Sequence, residues 1–259
     1  MKITDTQLHR YARQVVMHEI DEDGQQALLS SKVAVLGAGG LGSVVIANLA
    51  AAGVGELIIC DNDIIDLSNL NRQIIHREKD VGKPKTESAK RFVQDINPDV
   101  SVKIIQETME KETLNDILSD CNLLVDCADE FSTRFDAAKA AFENGIPHIF
   151  GGAVRFDGQL ASLMAGVEGY NNSPCFACLF PKDFGAAQAT NCAQAGILSP
   201  ITGLIGNLQS LETIKWVTRA GEMTINKLIL FDGFSSNFKS IETTKLDNCV
   251  ICSKNDDLK

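Results

Sequence analysis

The run Gly37-Ala38-Gly39-Gly40-Leu41-Gly42 constrains the fold more than any other feature of this chain. It lies between an apolar stretch, Lys32–Leu36, and a small-residue apolar stretch, Ser43–Ala51, and so reads as strand, glycine turn, helix. Backbone N–H groups approach an anion closely only where side chains are absent, and a helix N-terminus turns partial positive charge towards the same point. A second apolar stretch, Glu56–Cys60, ends at Asp61, a carboxylate suited to accepting hydrogen bonds from a ribose. A nucleotide is therefore expected. Its kind is left open, because Gly37, Gly39 and Gly42 fit the dinucleotide fingerprint and Asp61 follows Gly42 by nineteen residues, close to the ribose distance of such folds.

Further strand-like runs follow at Val100–Ile105, Leu123–Cys127 and Pro147–Phe150. Helix-like segments at 41–52, 86–96, 112–118 and 133–144 alternate with them. That alternation predicts an α/β fold: a doubly wound, Rossmann-like, mostly parallel sheet whose ligand lies beyond the carboxyl ends of the strands. Asp61 and Asp129 both fall just past strand ends and should face one crevice. Asp157-Gly158 is a turn signal inside Val154–Ala165, so antiparallel strands should extend the sheet. Residues 166–199 carry Gly, Pro, Asn and three cysteines with little periodicity, as functional loops do. Ile201, Leu204, Ile205, Leu208, Leu211 and Ile214 recur at helical spacing, and two more strands are expected near Lys227–Phe231 and Phe238–Thr243. One domain over residues 1–259 accommodates all of this: a helical segment 1–30, a nucleotide-binding core 31–150 and a third part, 151–259.

A net charge of −10 leaves nothing basic to displace the counterions of nucleic acid, so no nucleic-acid partner is expected. The polar start Met1-Lys2-Ile3-Thr4-Asp5 fits neither a signal peptide nor a membrane span, which predicts a cytoplasmic protein. There, eight cysteines are metal ligands, buried thiols or nucleophiles rather than disulfides. Cys175-Phe176-Ala177-Cys178 and Cys249-Val250-Ile251-Cys252 each supply half of a tetrahedral zinc site, with a redox pair as the rival reading. Seventy residues separate them, so zinc requires the fold to bring a loop and the C-terminal region together. Cys60 and Cys127 sit in apolar strands and read as inert thiols, and Cys121 has no assigned role. Cys192, in the irregular segment, is either a nucleophile or a bystander.

Pro84 suits the first position of a helix and puts Lys85 in the first turn of that helix, where the helix dipole disfavours a cation unless an anion is near. With Arg72, Lys85 could flank a triphosphate, which a hydride-transfer site does not need. Asp129 could hold magnesium through water or merely cap the next helix. Arg10 and Arg13, three apart in a helical segment, read on their own as a solvated basic patch. The four histidines have no ligand spacing and read as surface or satisfied residues.

Taken in order, Arg10-Tyr11-Ala12-Arg13-Gln14, the glycine run, Asp61, Ser68-Asn69-Leu70-Asn71-Arg72-Gln73, Lys83-Pro84-Lys85, Asp126-Cys127-Ala128-Asp129 and the two CxxC pairs resemble the ubiquitin-activating-like family of sulfur-carrier adenylyltransferases, the MoeB, ThiF and HesA relatives. The resemblance implies ATP and magnesium, adenylation of the C-terminal glycine carboxylate of a small ubiquitin-like carrier ending in Gly-Gly, and a separate sulfur-donor protein. It implies that Gly40 approaches the phosphates, Asp61 holds the ribose, and Ser68, Asn69, Arg72 and Lys85 contact the nucleotide. Asp129 would serve the metal, and Cys175, Cys178, Cys249 and Cys252 would bind zinc. Arg13 matches an arginine that reaches into a partner subunit, which replaces the bland reading of that patch and implies a homodimer. Cys192 matches a loop cysteine of thioester or persulfide chemistry. Asn71 and Glu130 stand where many relatives carry Gln and Asn.

Overall fold

The computed structural model describes residues 3–181 and 195–253. Its strands are β1 (Lys32–Leu36), β2 (Glu56–Cys60), β3 (Ser101–Ile105), β4 (Leu123–Asp126), β5 (His148–Val154), β6 (Asp157–Leu163), β7 (Lys227–Asp232) and β8 (Asn237–Glu242). They form one sheet in the order β3-β2-β1-β4-β5-β6-β7-β8. The first five pair in parallel and the remainder are added antiparallel. Strand order reverses between β1 and β4, and the crevice opens at their carboxyl ends.

Alternation along the strands builds a core on each side of the sheet. Val33, Val35, Leu57 and Ile59 face one way, with Val45 and Leu49 of α4 (Gly40–Ala52), Val93 of α5 (Lys85–Ile96) and Ile205 of α8 (Ser199–Thr218). Ala34, Leu36 and Ile58 face the other way, against Leu114 and Leu118 of α6 (Lys111–Leu118) and Ala137 and Ala141 of α7 (Phe131–Asn144). Strands buried on both faces must be apolar throughout, which is why β1, β2 and β4 read as continuous hydrophobic runs. A third cluster gathers Phe135, Phe150 and Phe176 around three of the cysteines. Among the described residues no helix is long and apolar enough to cross a membrane.

Three expectations need correction. The β5–β6 hairpin turns at Arg155 and Phe156, not at Asp157-Gly158. Gly158 is inside β6, where a Cβ would lie 2.5 Å from Ile205 Cδ1, so its use is close packing; Arg155 takes the left-handed φ of 52° instead. Pro84 caps α5 with an extended ψ of 136°, which makes Lys85 the first helical residue.

The N-terminal segment is not one helix but α1 (Asp5–Arg10), α2 (Ala12–Val15) and α3 (Asp21–Ser30), so Arg10 and Arg13 do not share a helix. The break is Tyr11, only 1% exposed, whose hydroxyl accepts from Asn97 Nδ2 at 2.8 Å. Asn97 also donates to Ala50 O, and Gln14 and Gln25 donate to Ala52 O. The segment thereby satisfies the last carbonyls of α4, at the end of that helix opposite the glycine turn.

Candidate functional site

Gly37 leaves β1 with φ 94° and donates its N–H to Cys60 O at 2.7 Å, tying the turn to the end of β2. A Cβ on Gly42 would lie 1.9 Å from Gly37 O, so only glycine lets α4 start this close to its own strand. No side chain caps α4, whose N-terminus opens into the crevice. Asp61 closes the other side: its Oδ2 accepts from Ala38 N at 2.7 Å and its Oδ1 from Asp63 N at 2.8 Å. Burial raises its pKa, against the nearby Lys85 charge and these two hydrogen bonds.

Residues 63–65 pair with 82–85 through Ile65 N to Lys83 O and Lys85 N to Asp63 O, at 2.9 and 3.0 Å. That pairing sets Lys85 beside the acidic end of β2. The Lys85 side chain is 7% exposed and its ammonium meets Asp63 Oδ2 at 2.7 Å, while Asp63 itself is 65% exposed. A nearly buried cation at a helix N-terminus, paired with one solvated carboxylate, is a site that favours a further anion.

Ser68 and Asn69 form a short 3-10 turn, Leu67–Asn69, and their side chains are engaged with Asp66: Ser68 Oγ donates to Oδ1 at 2.6 Å, and Asn69 Oδ1 accepts from Asp66 N. Arg72 lies on the same loop, donating to Ser68 O and Asn71 Oδ1 at 3.1 and 3.2 Å. The loop therefore holds its own shape and presents a half-exposed guanidinium. Asp129 follows β4 as an exposed carboxylate; Glu130 occupies the cap position of α7, its side chain accepting from Thr133 Oγ1 at 3.4 Å rather than from a backbone N–H, so Asp129 does not cap that helix. Arg13 is exposed at the far end of α4, away from this group. Cys192 lies outside the described residues.

Two residues missed by the sequence reading support the turn. His76 is buried, and its Nε2–H donates to Ala38 O at 2.9 Å, which leaves Nδ1 a buried acceptor without a partner. Burial holds its pKa below the usual histidine value, so the neutral tautomer is the one that fits. Gln73, 3% exposed, packs against Gly39 and has an unpaired Oε1. Neither has a spacing that marks it.

The four motif cysteines converge: their Sγ atoms all lie within 4.8 Å of one another, with closest separations of 3.4, 3.5 and 3.9 Å. Sulfurs at the corners of a zinc tetrahedron with bonds of about 2.3 Å stand about 3.8 Å apart. Leu246 N donates to Cys178 Sγ at 3.4 Å, as a thiolate ligand would receive. The donor set and its spacing fit zinc. Cys60 and Cys121, by contrast, are pushed up by burial to about 12 and about 11 and are inert.

A model of the ThiF family matches residues 11–251 of the chain. The chain belongs to the ThiF family. Among curated ThiF-type relatives, the SAMP-activating enzyme E1 of Haloferax volcanii is 36% identical over 254 residues, covering 98% of this chain and 92% of that protein. The molybdopterin-synthase adenylyltransferase of Salmonella typhimurium is 33% identical over 253 residues, covering 98% and 99%. The sulfur carrier protein ThiS adenylyltransferase of Escherichia coli is 36% identical over 250 residues, covering 96% and 97%. A crystal structure of E. coli MccB with AMPCPP and MccA superposes with TM-score 0.82 at 27% identity, over 94% of this chain and 74% of that one.

Proposed function

We propose that this ThiF-family protein is an ATP-dependent adenylyltransferase acting on the C-terminal glycine carboxylate of a small ubiquitin-like sulfur-carrier protein. The observation that carries the reading is the meeting of the glycine turn, Asp61 and the nearly buried Lys85 at one crevice of a chain that matches 99% of the Salmonella molybdopterin-synthase adenylyltransferase. A carrier carboxylate oxygen attacks the α-phosphorus, the acyl–phosphate bond forms and pyrophosphate leaves. The carbonyl so activated accepts a sulfur nucleophile, which a free carboxylate does not.

Gly40 and the N-terminus of α4 approach the phosphates, Asp61 orients the ribose, and the loop of Ser68 and Asn69 is the mount from which Arg72 reaches the nucleotide. Lys85 and Arg72 neutralise charge that grows on the phosphates as pyrophosphate departs. Asp129 is the residue that would hold magnesium through water, and the ion would supply positive charge to offset that of the phosphates. Cys175, Cys178, Cys249 and Cys252 hold a structural zinc. Cys192 serves sulfur transfer from a donor protein, residues 1–259 form one adenylation domain, and the enzyme works in the cytoplasm.

The dinucleotide reading of the glycine turn would make the protein an NAD-dependent oxidoreductase; Arg72 and Lys85 argue against it, and calorimetry tests it. ATP with magnesium chloride should bind measurably and NAD should not; binding of NAD alone would overturn the reading.

Arg13 acts in a second copy of the chain. It sits at the carboxyl end of α4, about 20 Å along that helix from Gly40, too far to serve its own crevice. Ile64, Leu67 and Ile74, each 60–62% exposed beside the nucleotide loop, give a second copy an apolar surface to cover. Subunits of Arg13→Ala and Lys85→Ala, each inactive alone, should regain activity when exchanged: half of the dimers are mixed, each with one intact site, for about a quarter of wild-type activity. No recovery despite subunit exchange would show that Arg13 acts within its own chain.

A further inference from the structure

Asp126 and His148 form a buried pair that the adenylation chemistry does not use. Asp126, the last residue of β4, is fully buried; His148 opens β5 beside it, 3% exposed, with Nε2 3.0 Å from Asp126 Oδ2. The pairing follows from the sheet register, which sets Leu124 opposite His148 and Asp126 opposite Phe150. Burial alone would push the Asp126 carboxyl up. The hydrogen bond from His148, with the Arg134 charge and the His148 charge behind it, brings it below the ordinary aspartate value instead.

The rest of Asp126 is committed to the segment that carries Asp129. Its Oδ1 accepts from Ala128 N at 3.0 Å, and its own carbonyl accepts from Gln209 Nε2 at 2.7 Å. Arg134, one turn into α7 and resting over the Phe150 ring at 4.7 Å, donates to Ala128 O. Ala128 is thus held at both its N–H and its carbonyl, and the next residue is Asp129. Cys127 N still donates to Leu36 O at 2.8 Å and Glu130 O accepts from Arg134 N at 3.2 Å, so between these two fixed ends the direction in which Asp129 leaves the sheet depends on how Ala128 is held.

We propose that His148 is a positioning residue: by holding the Asp126 carboxylate in one orientation, it fixes Ala128 and so aims Asp129 into the nucleotide crevice. The consequence for ATP rests on the reading of Asp129 as the residue that serves magnesium, whereas the anchorage itself does not. Without His148, Asp126 Oδ2 is a buried acceptor lacking its donor, and the carboxylate rotates to find another, releasing the Ala128 amide.

Hydrogen exchange of the nucleotide-free protein, followed by NMR, tests the anchorage directly. His148→Leu should raise the exchange rate of the Ala128 amide at least tenfold, with the core amides of β1 unchanged. His148→Gln, which restores a donor near the Nε2 position, should bring Ala128 back to within about threefold of wild type. Calorimetry then tests the link to the site. His148→Leu should weaken binding of ATP in magnesium chloride at least fivefold, as Asp129→Asn should, and leave binding of ATP in EDTA unchanged. Unchanged protection of Ala128 in folded His148→Leu protein would overturn the proposal. If His148→Leu does not fold, Asp126→Asn must give the same deprotection of Ala128, or the proposal fails. If Asp129→Asn leaves magnesium-dependent binding intact, it is the assignment of Asp129 that falls, and Ala128 exchange still decides the role of His148.

Discussion

Lys85→Ala should lower carrier-dependent exchange of pyrophosphate into ATP by about a hundredfold or more, since one lost donor at a developing phosphate charge costs ~3–4 kcal/mol. Arg72→Ala should do the same. The folded state should barely register the Lys85 change, because the partner released, Asp63, is 65% exposed and solvent replaces the lysine readily. An activity loss with an unchanged melting temperature is therefore the expected signature. Cys192→Ala should behave oppositely and retain exchange, because the nucleophile of the adenylation step is the carrier's own carboxylate. Loss of exchange in folded Cys192→Ala protein would overturn that division of labour, and near-normal exchange in Lys85→Ala protein would remove the phosphate-binding role.

Cys249→Ser should release the zinc. Content measured by metal analysis should fall from about one ion per chain to a small fraction of that, because a hydroxyl is a poor replacement for a thiolate among sulfur ligands. The structural effect should centre on the strand-free residues 243–253, whose docking on the Phe176 region depends on Cys249 and Cys252. A lower melting temperature and early proteolysis in that stretch are the checks, and a chelator should reproduce both in the wild-type protein. Unchanged zinc content in the variant would show that Cys249 is not a ligand.

The contrast between these two sites shows what was legible in advance. The glycine turn and Asp61 are read from adjacent residues because strand, turn and helix are consecutive in the chain, and the interactions that shape them are short-range. Lys85 is legible from its place after Pro84, although the helix starts at Lys85 itself and not at the proline. Asp63, its ion-pair partner, was not singled out, since nothing in an isolated aspartate marks it. The family resemblance makes Ser68 and Asn69 nucleotide contacts; the structure engages their side chains with Asp66, an arrangement that local sequence also permits and that only the folded loop reveals. The misplaced hairpin turn has a similar origin. Gly158 carries a turn signature, but the space it leaves is filled by Ile205 from a helix forty-seven residues away.

The sequence by itself determined the succession of strands and helices, the two-faced core and the glycine turn. Alternation such as Val33 and Val35 against Ala34 and Leu36 records locally which side of a sheet each residue will occupy. Only the tertiary structure decided which distant groups meet. It brought Cys175 within 3.4 Å of Cys249, seated His148 on Asp126 through the register of two parallel strands, and set Arg13 at the opposite end of α4 from the glycine turn. Such meetings depend on strand order and helix length, which are settled by burying apolar surface over the whole chain, and so no local spacing of residues announces them.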